Sequence, residues 1–249
     1  MPKSYKLLSV IIPVYNEKTT IAEVIEKVSA VDLPIEKEII VVDDGSTDGT
    51  VEILQLSRDK VKTTHLAPVN VGKGAAVRIG LTLVNGDIIL IQDADLELDP
   101  NEYSQLIQPI LDEKTSVVYG SRFLQKNSVP ATRYLANFLL TSATNLLFGT
   151  GLTDMETAYK VFTREVARDL KLVADRFEIE PEITAQIALK GYKILEVPIS
   201  YRPRTKSEGK KIKWRDGIKG FWTLLKYSRI FSRVNLTQRR KGTETQSRR

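Results

Sequence analysis

"GDIILIQDADLELDP", residues 86–100, joins an apolar run, Ile88 to Ile91, to a staircase of carboxylates: Asp93, Asp95, Glu97 and Asp99, each two positions from the next. The apolar run has the length and branching of a strand buried on both faces. Like charges gathered at its end raise one another's pKa and work against folding unless a cation sits among them. Asp93 and Asp95 fall on one side of an extended chain. A hard, oxygen-liganded ion such as Mg2+ or Mn2+ can take one or two carboxylates there and complete its shell with substrate phosphates. A solvated acidic loop is the competing account of the same residues.

The strand has neighbours of its own kind. Apolar runs alternate with segments of helical period: "LLSVIIPV" then 18–30, "EIIVVD" then 48–59, "VKTTHL" then 73–84, "DIILIQ" then 100–113, and "SVVYG" then 131–148. That alternation predicts a mainly parallel α/β sheet with helices on both faces. Ligands bind such sheets beyond the carboxyl ends of the strands. The polar clusters "YNE", "DDGSTDG", "QDADLE" and "GSR" stand at those ends. Further on, "TDMETAYKVF" reads as a short edge strand, "IEPEITAQIALKG" as a helix closed by Gly191, and "YKILEVPISYR" as a strand entering the basic loop "RPRTKSEGKKI". The segment from Trp214 carries Ile218, Phe221, Trp222, Leu225 and Ile230 among cations, as a capping helix or an interfacial one does.

Several chemistries are excluded. The 249 residues contain no cysteine, so there is no disulfide or thiolate metal site, and the single His65 builds no zinc site. "NVGKGAA" lacks the spacing of a Walker loop, and no G-x-G-x-x-G follows the first strand. "DDGSTDG" fails as a calcium loop because position twelve is Gln55; by itself it reads as a turn capping the next helix through Asp48. No apolar run approaches the ~18 residues of a membrane span, and the N-terminal stretch shows no signal-peptide cleavage pattern, so a cytosolic protein is expected. Charge is divided unevenly: residues 202–249 hold 16 Lys or Arg against three acids, a balance of +13 within a net +6. Such a block attracts phosphates, anionic lipid or nucleic acid, or is simply solvated.

"SVIIPVYNE", "IIVVDDGSTDGT", "NVGKGAA", "GDIILIQDADLE" and "VVYGSRF", in this order, resemble the family 2 glycosyltransferases. "FEIEPEITAQIALKGYKILEVPISYRPR" extends the likeness to the dolichyl-phosphate mannose and glucose synthases. The resemblance implies a GT-A fold, a Rossmann-like, mainly parallel sheet flanked by helices, with a C-terminal basic loop and amphipathic helix. It divides the chain into a transferase domain, 1–235, and a basic tail without expected order, 236–249. It places Pro13, Tyr15, Glu17, Val42 and Asp44 around the base and ribose of the donor, with Ala94 beside it. Asp93 and Asp95 belong to the metal and diphosphate site, Asp95 also counting as catalytic, and Glu97 stands at a third-ligand position. Arg122 and Arg133 resemble the arginines that receive an acceptor phosphate; Arg204 and Lys210, with Lys211 competing, resemble a clamp on the donor diphosphate.

The implied reaction is inverting, metal-dependent transfer of mannose or glucose, from GDP-mannose or UDP-glucose, to a polyprenyl phosphate. The enzyme would be peripheral on the cytosolic face of a membrane and would bind no nucleic acid. An acceptor phosphate is already anionic and needs no general base, only positioning. Transfer to a hydroxyl would need one, to be sought at Asp154 or Glu156. A non-enzymatic lipid- or nucleic-acid-binding module is the third reading. For the acceptor's apolar chain, residues 134–148 offer Leu135, Phe138, Leu139, Leu146, Leu147 and Phe148 to an interface, or else form an ordinary buried helix.

Overall fold

The computed structural model describes residues 4–204 and 216–228. Seven strands make one sheet among these residues: β1 (Leu7–Val14), β2 (Glu36–Asp43), β3 (Thr63–Leu66), β4 (Ile88–Ile91), β5 (Val117–Ser121), β6 (Lys160–Thr163) and β7 (Ile194–Pro198), in the order β3-β2-β1-β4-β6-β5-β7. All neighbours pair in parallel except β6, which runs antiparallel to β4 and β5. The helices are α1 (Ile21–Ala30), α2 (Thr50–Leu56), α3 (Lys73–Leu83), α4 (Tyr103–Leu111), α5 (Ala131–Phe148), α6 (Arg164–Asp169) and α7 (Ile179–Leu189); residues 216–228 are also helical.

Alternation along β1 explains the two layers. Leu8, Val10 and Ile12 join Val24, Ile25, Leu106 and Ile110 on one face, whereas Ile11 joins Val77, Ile183 and Ile187 on the other. The second layer sits tightly: a Cβ built on Gly80 of α3 would lie 2.4 Å from Ile11 Cγ2, so only glycine lets α3 approach β1 there.

Three expectations are corrected. "TDMETAYKVF" supplies only β6, and β6 lies inside the sheet rather than at its edge. An interior strand can carry Lys160 because the side chain is fully buried and its charge is met by Glu180. The segment 100–113 begins as a 3-10 turn, Pro100–Glu102, with the Asp99 side chain accepting from Asn101 N (3.1 Å), before α4 starts. Asp99, the last step of the acidic staircase, is therefore a cap.

The third correction concerns α5. Its interior face is polar: Asn137, Thr141 and Thr144 are buried, and Tyr134, Leu135, Phe138, Leu139 and Leu146 are exposed. The buried stripe is satisfied by an irregular segment rather than by a core. Thr141 Oγ1 accepts from Met155 N (3.1 Å), and Asn145 exchanges bonds of 2.8 Å with both backbone groups of Leu152. Phe148, expected at an interface, is instead buried in the second layer, and Leu147 packs against that layer. In 216–228, Leu224 and Tyr227 enter the same layer while Ile218, Phe221 and Trp222 remain exposed, so the segment caps the core with one face and leaves an apolar face outside. Ile230, Lys210, Lys211 and the tail 236–249 lie outside the described residues.

Candidate active site

The carboxyl ends of β1, β2, β4 and β5 converge on one side of the sheet. Pro13 and Val42 are register partners on β1 and β2, both buried, and half-buried Tyr15 follows. The β1 turn is fastened to the β2 turn by Asn16 N donating to Ser46 Oγ (2.8 Å) and Glu17 N to Thr50 Oγ1 (2.9 Å). The N-cap of α2 is Gly49 rather than Asp48, which stands one residue before it and accepts from Thr50 N (3.0 Å). Asp44 is a strap: its carboxylate accepts from Asn70 Nδ2 (2.7 Å), Val71 N (2.9 Å) and Gly72 N (2.7 Å). Burial, partly offset by those bonds, still pushes its pKa up. Gly72, at φ +139°, has no room for a side chain, because a Cβ would lie 2.4 Å from Asp175 O.

Beyond β4, buried Gln92 sets the loop. Its Oε1 accepts from Tyr103 OH (2.7 Å) and Tyr159 OH (2.8 Å), and its Nε2 donates to the carbonyl of Asp93 (2.8 Å). Buried Ala94 gives its carbonyl to Thr20 Oγ1 (2.8 Å). Asp93 pairs with Lys73 (2.6 Å). Asp95 accepts from Glu97 N (3.1 Å), and its carboxyl is pushed up to about 7 by burial and then by Asp93 and Glu97.

Arginines close over this acidic loop. Arg204 clasps Glu17 through Nη1 (3.0 Å) and Nη2 (2.6 Å) and donates from Nε to the Asp95 carbonyl (2.9 Å). Arg133 donates to Glu97 (2.8 Å) and to the Tyr201 hydroxyl. The Glu97 carboxylate also accepts from Arg204 N (2.7 Å) and Tyr201 OH (3.1 Å). Arg122 forms a two-pronged pair with fully buried Asp154, both bonds 2.7 Å, while its guanidinium lies 5.2 Å from the Tyr201 ring centroid. Arg122 and Arg133 thus flank one tyrosine. Glu156, two residues beyond Asp154, has its carboxyl pushed up to about 7 by burial and then by Glu180.

Most sequence-identified residues are therefore neighbours: Glu17, Asp93, Asp95, Glu97, Arg133 and Arg204 share one network, with Arg122 reached through Tyr201. Asp44 stands apart, holding the 70–72 loop. Among the described residues no three His, Asp or Glu side chains are grouped to hold a metal by themselves. Two residues escaped the sequence reading. Tyr201 carried no signal beyond its place before the basic loop. Lys73 did carry one: a lysine opening a helix opposes the helix dipole and calls for a carboxylate partner.

A strand-end acidic loop facing three arginines, on a sheet with one reversed strand, is the arrangement that the resemblance to GT-A glycosyltransferases implies, and the comparisons agree. Residues 9–171 match the family model described as glycosyl transferase family 2, and the chain belongs to that family. It is 32% identical over 203 residues to the low-salt glycan biosynthesis hexosyltransferase Agl6 of Haloferax volcanii, covering 79% of this chain and 48% of that protein. It is 29% identical over 245 residues to the dolichyl-phosphate beta-glucosyltransferase ALG5A of Trichomonas vaginalis, covering 91% and 74%. The fold matches the glucosyl-3-phosphoglycerate synthase of Mycobacterium tuberculosis, solved with Mn2+, UDP and glucosyl-3-phosphoglycerate, with a TM-score of 0.69 at 23% identity over 90% of this chain and 80% of that one. Among the described residues no helix is long and apolar enough to cross a membrane.

Proposed function

We propose that this glycosyltransferase moves a hexose, with inversion, from a nucleoside diphosphate sugar to a polyprenyl phosphate at the cytosolic face of a membrane. The carrying observation is the convergence of Arg122, Arg133 and Arg204 on Tyr201 and the acidic loop. Cations so placed suit two phosphates meeting at one carbon, and the dolichyl-phosphate glucosyltransferase relative has an acceptor of that kind in its name.

The carboxylates fit a hard divalent cation. The Asp95 carboxyl is pushed up to about 7 by burial and then by Asp93 and Glu97, the environment a bound cation would relieve. Asp93 and Asp95 would hold Mg2+ or Mn2+, which would stabilise negative charge on the departing nucleoside diphosphate. Glu97 would join them through Oε2, which accepts only from Tyr201 among the described residues, while Oε1 keeps Arg133 and Arg204 N. Pro13, Tyr15 and Val42 would line the nucleoside; Glu17 would hold Arg204 toward the diphosphate, and Lys210 would add to that clamp. Arg122 and Arg133 would hold the acceptor oxygen in line with the anomeric carbon, a positional contribution rather than a proton transfer. The exposed faces of α5 and 216–228 would receive the lipid. A Cβ added to Gly220 would lie 3.9 Å from Leu140, so the two helices are neighbours.

Radiolabelled sugar transfer into an organic-extractable product tests the reading, with polyprenyl phosphate compared against the free polyprenol. Product from the phosphate alone is expected; equal product from the alcohol overturns the phosphate acceptor. A hydroxyl acceptor is the second reading, favoured by one observation. Glu156 is part-exposed, with its carboxyl pushed up to about 7 by burial and Glu180, whereas Asp154 is fully buried and paired with Arg122. In that case Glu156→Gln would lose about 10²–10⁴-fold in turnover; under the phosphate reading it would lose little.

A further inference from the structure

Lys73 opens α3 against the helix dipole, and two carboxylates hold it there: Asp93 at 2.6 Å and Glu180 at 2.9 Å. Glu180, in the first turn of α7, gives its other oxygen to Lys160 at 2.5 Å. Lys160 is complete: its ammonium also donates to Met155 O (3.0 Å) and Thr157 O (2.5 Å) and lies 4.8 Å from the Tyr119 ring centroid. Side-chain exposure rises along this chain from 0% at Lys160 through 6% at Glu180 and 13% at Lys73 to 27% at Asp93. Alternating charges thus lead from the core to the mouth of the site.

An ammonium has three N–H groups, and the two carboxylates take two of those on Lys73. Its outer partner, Asp93, is also the group that a divalent cation would share. Without Glu180, sharing Asp93 would release the lysine; with Glu180, the ammonium stays at the mouth. We propose that Lys73 is a phosphate-binding cation of the donor site and that Glu180 is the positioning residue that keeps it there. This rests on the transferase reading of the site. A side chain ordered in advance loses little freedom when ligand arrives, which is why a buried tether suits a diphosphate clamp.

Two titrations on the full chain test it: calorimetry of UDP and of GDP, each with Mn2+, and paramagnetic resonance of Mn2+ alone. Lys73→Met is expected to weaken nucleoside diphosphate binding about tenfold or more, the loss of one hydrogen bond to a charged group. The same variant should bind Mn2+ alone more tightly, because the internal cation competing for Asp93 is gone. A lysine that only supports the fold moves both affinities together or neither. Glu180→Gln should weaken nucleotide binding in the wild-type background and add nothing in Lys73→Met, since it acts through that lysine. Should Glu180→Gln fail to fold, Glu180→Asp serves in the same cycle. Unchanged nucleotide affinity in Lys73→Met, joint loss of Mn2+ and nucleotide, or additive effects in the cycle overturn the proposal. A wild-type chain that binds neither UDP nor GDP overturns the proposed donor beneath it, a separate outcome.

Discussion

Asp95 and Glu156 each hold a proton up to about 7, the first through burial, Asp93 and Glu97, the second through burial and Glu180. Unfolded carboxyls lose theirs near 4. Between about pH 4 and 7 the folded chain therefore binds more protons than the unfolded chain at these positions, and their contribution makes stability fall as pH rises, levelling above about 7. Glu156→Gln should narrow the difference in melting temperature between pH 5 and pH 8, measured without metal; a slope identical to wild type would remove Glu156 from the account. Asp95→Asn deletes a charge that its neighbours oppose, so the metal-free protein should melt no lower than wild type. Transfer should nevertheless fall on the order of 10²-fold or more if Asp95 holds the proposed cation, because that charge is lost. Near-native turnover in Asp95→Asn, or full activity in excess chelator, would sink the metal assignment. The two arginines proposed for the acceptor should part company. Arg122→Ala strands the fully buried Asp154 carboxylate and should cost about 3–5 kcal/mol of stability, read by denaturant unfolding. Arg133 is only part-buried, and Arg133→Ala should impair transfer with the fold retained.

Helix α5 shows where sequence reasoning stopped and why. Its ends were legible to the residue, because Pro130 precedes a long run of helix formers and Gly149 closes it in a left-handed turn. Its inward face was not legible. Hydrophobic periodicity assigns apolar residues to the core, but Asn137, Thr141 and Asn145 turn inward because the loop 150–156 presents backbone groups that must be paired. β6 failed for a similar reason: its buried lysine finds its counter-ion twenty residues and one helix away, a distance no local pattern spans. The strand-end motifs were readable because strand and loop are contiguous in sequence, so "QDADLE" and "GSR" carry their own context. Tyr201 and Glu180 come from distant segments and gain meaning only by folding. The two faces of α5 give opposed predictions. Leu135→Glu with Phe138→Glu, both positions more than half exposed, should leave stability nearly unchanged and reduce sedimentation with lipid vesicles. Phe148→Ala, at a buried position, should cost about 3–5 kcal/mol of stability. A vesicle-binding defect in Phe148→Ala that matches the double variant would mean that fold loss, not the exposed face, governs binding.

The molecule as a whole is electrically lopsided. Residues 202–249 carry +13 within a chain whose net charge is +6, so the remainder is negative. The acidic part contains the donor loop, and the basic part follows Arg204, the residue that closes over it. A membrane with anionic lipid would attract the basic segment at about 1 kcal/mol per cation near the surface, within a screening length of about 8 Å at physiological ionic strength. The exposed apolar residues of α5 and 216–228 would add contact area that salt does not screen. These two contributions separate experimentally. The full chain should sediment with anionic vesicles at low salt and be released progressively as salt rises, retaining a smaller, salt-insensitive fraction. Deleting 236–249 removes five of the cations, Arg239, Arg240, Lys241, Arg248 and Arg249, and one acid, Glu244. The truncated chain should therefore bind vesicles more weakly and with a shallower salt dependence. It should transfer sugar to a short-chain, water-soluble acceptor phosphate as fast as the full chain, because no residue assigned to donor or acceptor lies in the deleted segment. Equal binding to neutral and anionic vesicles would remove the electrostatic contribution, and lost transfer to the soluble acceptor would place the tail within the active site rather than beside it.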